Sequence, residues 1–228
     1  MRYSQFIVGQ SINTLQPMSD AQFHPLIVGI GLTAFAYLLG SIPWGVVLTR
    51  SFTSVDIRRQ GSGNIGATNV SRVAGSTLGL LTFTGDLLKG AVPVYLALIF
   101  AWKVPVTSDY LPAVVALAAF FGHLNPLFMK FKNGGKGVAT CAGCFAVLAP
   151  MACLAALLAF SALLILAHRV SVASLAAAAV LPIAVWFTAH SFQITLCAVI
   201  MAVFIFIRHT DNIKRLISGT EPKFREKQ

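Results

Sequence analysis

Apolar residues along this chain fall in long blocks. They neither alternate with polar ones, as in a half-buried strand, nor recur as a single stripe every three to four positions. Five blocks, 25–48, 75–102, 111–129, 137–167 and 170–207, carry almost no charge. A helix needs about 20 apolar residues to cross a bilayer. In lipid, each backbone N–H and C=O must find a partner within the protein, so these blocks predict an all-α, polytopic membrane protein. Block 170–207 has 38 residues. As one helix it would measure about 57 Å, nearly twice a hydrocarbon layer of roughly 30 Å. It predicts two spans, with Ala189-His190-Ser191 as the turn. Block 137–167 has 31 residues, long for one span and short for two. Pro150 near its middle predicts a break or kink.

Charge decides between one span and two. Cytoplasmic loops collect Lys and Arg. Residues 208–228 hold six Lys/Arg against three acids, so the C-terminus is expected inside. Two spans in 170–207 bring Arg169 inside as well. Only two spans in 137–167 then keep Lys130, Lys132 and Lys136 inside. Single spans at 111–129, 75–102 and 25–48 place Lys103 and Asp109 outside, Arg50 to Arg72 inside, and the N-terminus outside. The expectation is seven transmembrane helices, N-out and C-in, with fourteen of the 17 Lys/Arg on the cytoplasmic side. A polar extension, 1–24, precedes the seven-helix domain, 25–208, and a cytoplasmic segment, 209–228, follows it. Residues 1–24 lack the sequence of basic stretch, apolar run and small-residue cleavage site, so no signal peptide is expected.

Composition agrees, with 57% hydrophobic and 11% charged residues and a mean hydropathy of +0.78, an integral-membrane profile. In a soluble protein the net charge of +10 would suggest nucleic acid. No aromatic–basic interleaving supports that; anionic membrane lipid and an anionic substrate are the partners expected. Cys141, Cys144, Cys153 and Cys197 all lie inside apolar blocks. The Cys141-x-x-Cys144 spacing suits redox or metal chemistry. Without a neighbouring His or acid, small apolar packing is expected instead. No metal and no cofactor are expected.

The segments between the blocks carry the chemistry, and the span count puts three of them on one face. In GSGNIGATN (61–69), three glycines allow positive φ and close approach of backbone N–H groups to an anion. Ser62, Asn64, Thr68 and Asn69 add neutral donors, and Arg72 follows one helical turn after Asn69. A helix starting here would add its dipole. An ordinary Gly/Asn turn would share the composition. In NGGKG (133–137), Gly134, Gly135, Lys136 and Gly137 run into a helix start, the outline of a phosphate cradle though not a Walker A sequence. A flexible, positively charged anchor fits the same residues. In the third segment, Arg208, His209, Asn212 and Arg215 share one helix stripe, and His209 is the best protein candidate for proton transfer near pH 7, with a substrate phosphate dianion as the alternative base.

Two further features fall within or beside the blocks. Asp86 and Lys89, spaced i, i+3, can pair on one helix turn or form a charged wall of a substrate cavity. Ser171 and Ser174 follow Arg169, where serines commonly cap or pack a membrane helix. There is no Ser-His-Asp signature, paired carboxylate or metal cluster, so the expected chemistry rests on positioning and electrostatic stabilisation. Transfer between a phosphorylated substrate and a lipidic group fits. An organic-anion transporter is the rival, disfavoured because no hydropathy repeat is visible and the donors gather at one face rather than the midplane.

The motifs GSIPWG (40–45), DIRRQGSGNIGATNVSRVAG (56–75), GDLLKG (85–90), GHLNPLFMKFKNGGKGVAT (122–140), RVSVAS (169–174) and RHTDNIKRLISGTE (208–221) resemble the bacterial acyl-phosphate:glycerol-3-phosphate acyltransferases, the PlsY family. The resemblance implies seven membrane helices with cytoplasmic motifs. It also implies transfer of a fatty acyl group from acyl-phosphate to the 1-hydroxyl of glycerol 3-phosphate, giving lysophosphatidic acid and phosphate. It implies a donor supplied by an acyl-phosphate-producing acyltransferase. By motif match, Ser62 and Arg72 are catalytic, with Asn64, Thr68 and Asn69 around them. Gly134, Gly135, Lys136 and Gly137 match the donor-binding motif, Ser171 and Ser174 the serines after Arg-Val, and His209, Asn212 and Glu221 the third motif. We assign Lys136 and its loop to acyl-phosphate, and Arg72, Asn69, His209 and Asn212 to glycerol 3-phosphate. The sequence departs from the family pattern at Asn133, which lengthens the usual FKGGKG, at Asn125 in place of Phe, and at Thr210-Asp211 in place of Arg-Glu.

Overall fold

The computed structural model describes residues 20–103 and 110–224; most of the expected extension, 1–24, lies outside them, as does the expected outer position of Asp109. Every regular element among the described residues is helical. Helix α1 (Asp20–Gly40) is followed by α2 (Trp44–Phe52), α3 (Ala67–Ala74), α4 (Ser76–Lys103) and α5 (Leu111–Leu124). After them come α6 (Val138–Leu148), α7 (Pro150–Ala167), α8 (Val170–Ala189), α9 (Phe192–Arg208) and α10 (Thr210–Ile217). Helix α1 thus begins five residues inside the expected extension.

The breaks fall where backbone chemistry puts them. Pro43 has no N–H to continue α1, and the chain bends by 43° between α1 and α2. Block 137–167 divides at Ala149, with Pro150 at the first position of α7, where a missing N–H costs nothing. His190, in a left-handed conformation (φ 50), ends α8, and Ser191 caps α9. Four segments, 76–102, 111–129, 150–167 and 170–189, are long and apolar enough to cross a bilayer, and the bent pairs α1–α2 and α9–α10 pass the same test. Helix α6 is apolar but only 11 residues long.

The outside of the bundle is more apolar than a soluble protein allows. Leu158, Ile165 and Leu166 on α7 and Ile183, Trp186 and Phe187 on α8 are all exposed, as expected for side chains that face lipid. Inside, α1 packs along α5, α4 along α6 and α7 along α8. Small residues permit the closest of these contacts. A Cβ on Gly90 would strike the Thr140 carbonyl, and one on Gly143 the Leu87 carbonyl, so α4 and α6 meet backbone to backbone. Cys141 and Cys144 are buried in this packing with Phe120 and Phe145.

Asp86 and Lys89 form the expected ion pair at 2.8 Å, with both side chains almost fully buried. Lys89 Nζ also donates to the Ile42 carbonyl at 2.9 Å. That carbonyl lies at the α1–α2 break, where the helical hydrogen-bond ladder is interrupted. The pair therefore ties α4 to the break.

Candidate active site

Loop 61–66, the start of α6, the start of α8 and the α9–α10 corner converge on one cavity of about 400 Å³. Three helices aim their N-termini at it: Ala67 and Thr68 of α3, Val138 and Ala139 of α6, and Val170 and Ser171 of α8 line its wall. Free N–H groups and the positive ends of three dipoles thus face the same space. Arg72, Lys136 and Arg215 add full positive charges. Phe83 and Phe160 supply an apolar side.

Of the residues singled out in the sequence, Ser62, Asn64, Thr68, Asn69, Arg72, Lys136, Gly137, Ser171, Ser174, His209, Asn212 and Glu221 all line this cavity. Their functions within it differ from simple donation. Asn69 is 2% exposed. Its Oδ1 accepts from the Ser62 N–H at 2.9 Å. Its Nδ2 donates to the carbonyls of Ile57, Gln60 and Asn64 at 3.3, 3.1 and 2.9 Å. The Asn69 amide makes four hydrogen bonds that shape the loop. Gly61 is at φ +58, and any Cβ there would strike Asn69 Oδ1. The loop consequently presents Ser62, which is exposed.

The NGGKG loop divides in two. Gly137, at φ +87, caps α6, and Lys136 enters the cavity. Gly134 and Gly135 are not among its lining residues. Their carbonyls accept hydrogen bonds from the Arg208 guanidinium, and the Gly135 N–H donates to the His123 carbonyl at 3.1 Å. A Cβ on Gly134 would meet the Leu124 carbonyl, and one on Gly135 the His123 ring. Both glycines are there for close packing. Lys89 is likewise absent from the cavity wall; its partner Asp86 lines the wall instead, beside His123, whose Nδ1 is 3.5 Å from Asp86 Oδ1. Sequence spacing could not have brought residues 86 and 123 together.

A chain of polar contacts joins the second and third motifs. Lys136 Nζ donates to Asn212 Oδ1. Asn212 Nδ2 donates to Glu221 Oε1 at 2.7 Å, and Arg215 Nε to Glu221 Oε2 at 2.8 Å. Burial pushes the Glu221 carboxyl up, but hydrogen bonds from Asn212, Ser171 and Arg215 outweigh it and hold it below its ordinary value. Glu221 thus holds Asn212 and Arg215 together at the cavity wall. Burial pushes the Lys136 ammonium down to about 8. Glu221 opposes that shift, and the Arg215 and Arg72 charges add to it.

His209 is 2% exposed. Its Nδ1 lies 2.8 Å from the Ile205 carbonyl, which only accepts. Nδ1 therefore carries the proton and Nε2 the lone pair. Burial, reinforced by the Lys136 charge, pushes this imidazole down to about 4. The expectation of a group titrating near pH 7 is corrected: His209 is neutral there and a weak base. Ser171 and Ser174 are buried on the cavity wall, and the Ser171 hydroxyl faces the Glu221 carboxylate. Position 169 caps α8 without a side-chain bond, so neither serine is the helix cap.

An all-helical bundle with an apolar outer face and a donor-lined cavity defines a multi-pass membrane protein built around an anionic ligand. Sequence and structure comparisons narrow that class. The model of the glycerol-3-phosphate acyltransferase family matches residues 30–219. The chain is 47% identical over 200 residues to the glycerol-3-phosphate acyltransferase of Trichlorobacter lovleyi, covering 88% of this chain and 100% of the relative. It is 49% identical over 190 residues to that of Syntrophotalea carbinolica, covering 83% and 94%. The crystal structure of PlsY (YgiH), an integral membrane glycerol 3-phosphate acyltransferase in its glycerol 3-phosphate form, matches with a TM-score of 0.80 at 36% identity, covering 86% of this chain and 96% of that one. Its lysophosphatidic acid form gives 0.78. The chain belongs to the glycerol-3-phosphate acyltransferase family of integral membrane enzymes, and the transporter reading is set aside.

Proposed function

We propose that the enzyme transfers a fatty acyl group from acyl-phosphate to the 1-hydroxyl of glycerol 3-phosphate, releasing lysophosphatidic acid and inorganic phosphate. The observation that carries this reading is the single cavity where Arg72, Lys136 and three helix N-termini meet. It offers enough positive potential for two phosphates at once. The mixed anhydride is already activated, so no protein nucleophile is required.

Lys136 and the start of α6 hold the donor phosphate. Arg72 and Asn212 hold glycerol 3-phosphate. The hydroxyl oxygen attacks the acyl carbonyl carbon, with Ser62 and nearby backbone N–H groups receiving the developing oxyanion. The carbon–oxygen bond to phosphate then breaks. His209 Nε2 accepts the hydrogen bond of the attacking hydroxyl, but a base near 4 does not keep the proton. The departing phosphate takes it, which balances the reaction. Ser171 and Ser174 donate to whichever phosphate lies against α8.

We further propose seven crossings, N-out and C-in, in a bacterial inner membrane, with the cavity facing the cytoplasm and the donor supplied by an acyl-phosphate-producing acyltransferase. Fourteen Lys/Arg on that side support the orientation. The cavity is lined by the start of α4's neighbour α3, the starts of α6 and α8, and the end of α9, as alternating crossings require.

Purified enzyme given acyl-phosphate and glycerol 3-phosphate is expected to release phosphate in step with acylated product. Turnover with an acyl thioester and none with acyl-phosphate would overturn the donor assignment.

Lys136 gives a pH signature. Its depressed pKa means the neutral form gains as pH rises through about 8. Substrate phosphates are already dianionic there. The kcat/KM for donor, which reports the free enzyme, is expected to be level from pH 6.5 to 7.5 in round terms and to fall about tenfold per unit above 8. A profile flat to pH 10 would separate Lys136 from donor binding.

A further inference from the structure

Helix α2 has a face that the transfer reaction does not use. Val46, Val47 and Arg50 fall on one stripe of it. With Phe128, Met129 and Asn133 they line a second groove of about 350 Å³, separate from the first. Most of its wall is apolar, and Arg50 and Arg58 supply its charge. Arg58 is committed to Asp56, donating from Nε and Nη2 at 2.8 and 2.6 Å. Arg50 is exposed and has no hydrogen bond or ion pair among the described residues. Asp56 senses its charge without pairing with it. Phe128 on the groove wall is 60% exposed, Phe52 at the end of α2 and Phe131 in the loop before α6 are exposed by 69 and 58%, and exposed Lys130 and Lys132 flank Phe131. Apolar rings beside ammonium groups mark the level where hydrocarbon gives way to headgroups.

We propose that this groove binds an anionic phospholipid from the surrounding leaflet. Arg50 meets the headgroup phosphate, and an acyl chain lies along Val46, Val47 and Phe128. A soluble phosphate would gain nothing from the apolar wall. A lipid of zero net charge would gain little from an unpaired guanidinium. The groove touches the catalytic assembly at two points. Ile42 on its wall is the residue whose carbonyl holds Lys89. Asn133, the extra residue of its loop, stands three positions before Lys136. Its left-handed backbone, φ 54, follows Lys130 and Phe131 at φ 55 and 60, a conformation that costs free energy in non-glycine residues. A lipid seated here braces both the α1–α2 break and that loop.

The test is thermal unfolding of the full chain in a non-ionic detergent, titrated with dioleoyl phosphatidylglycerol, dioleoyl phosphatidylcholine or inorganic phosphate. Phosphatidylglycerol is expected to raise the midpoint saturably, and phosphatidylcholine much less. Arg50→Gln is expected to raise the half-saturating phosphatidylglycerol concentration about 5-fold while retaining acyl transfer. Val47→Trp, which fills the groove without changing charge, is expected to do the same. Inorganic phosphate is expected to protect wild type and Arg50→Gln alike, through the first cavity. Equal protection by both lipids, or an unchanged phosphatidylglycerol dependence in both variants, would overturn the proposal. So would inorganic phosphate reproducing the lipid shift and losing it in Arg50→Gln, since the groove would then be a soluble-anion site.

Discussion

Lys136→Met is expected to lower kcat/KM for the proposed donor by about 10²–10³ and to leave the fold intact. The size follows from removing one charge-assisted donor from a water-poor site where the phosphate leaves. The fold survives because methionine keeps the apolar stem and removes an ammonium whose burial is already costly, as its depressed pKa shows. The substitution also frees Asn212 Oδ1, which Glu221 continues to hold from the other end of the amide. Steady-state kinetics with acyl-phosphate and a thermal melt in detergent measure the two halves. A loss under tenfold with an unchanged melt would mean that Lys136 is a spectator and that α6 alone holds the donor.

Lys89→Met is expected to cost far more stability than its position in an apolar helix suggests. It strands Asp86, almost fully buried, with only His123 at 3.5 Å, and leaves the Ile42 carbonyl at the α1–α2 break with the Trp44 N–H alone. Removing one member of a buried pair costs about 3–5 kcal/mol, or roughly 10 °C for a chain of this length. Asp86→Asn combined with Lys89→Met is expected to recover part of that loss, because no lone charge remains. A single variant as stable as the double one would show that Asp86 is already solvated through the cavity. The ion pair would then contribute little.

The two predictions draw on different kinds of legibility. Lys136 stood out in the sequence because a lysine between glycines at the edge of an apolar block has few structural uses. Its partner Asn212 was visible too, on a basic stripe, but not the bond between them. Those residues are 76 positions apart, and only the return of α9 beside α6 joins them. Asn69 shows the opposite case. Its composition context marked it as a ligand donor, yet its amide closes the loop around three carbonyls and the Ser62 N–H. An asparagine that donates to substrate and one that donates to backbone look the same in a sequence. Gly134 and Gly135 are comparable. Glycine permits close approach, and here what approaches is Leu124 and His123 rather than a phosphate. His209 was recognised as the histidine of the site, but its burial and the bond to Ile205 set its proton affinity. Those are properties of packing.

By itself the sequence determined the helical class, the turns at Pro150 and His190, that Asp86 and Lys89 lie within pairing distance on one helix turn, and which polar segments could share a face. Each of these is local. A helix must be about 20 residues to cross lipid, proline lacks an N–H, and charges three apart on a helix adjoin. The tertiary structure decided what each polar group meets. It brought three helix N-termini to one cavity and turned two glycines away from it. It also placed Asp86 against His123 and left Arg50 unpaired over an apolar groove. Hydrogen-bond partners and burial are set by elements distant in the chain, and no spacing rule reaches that far.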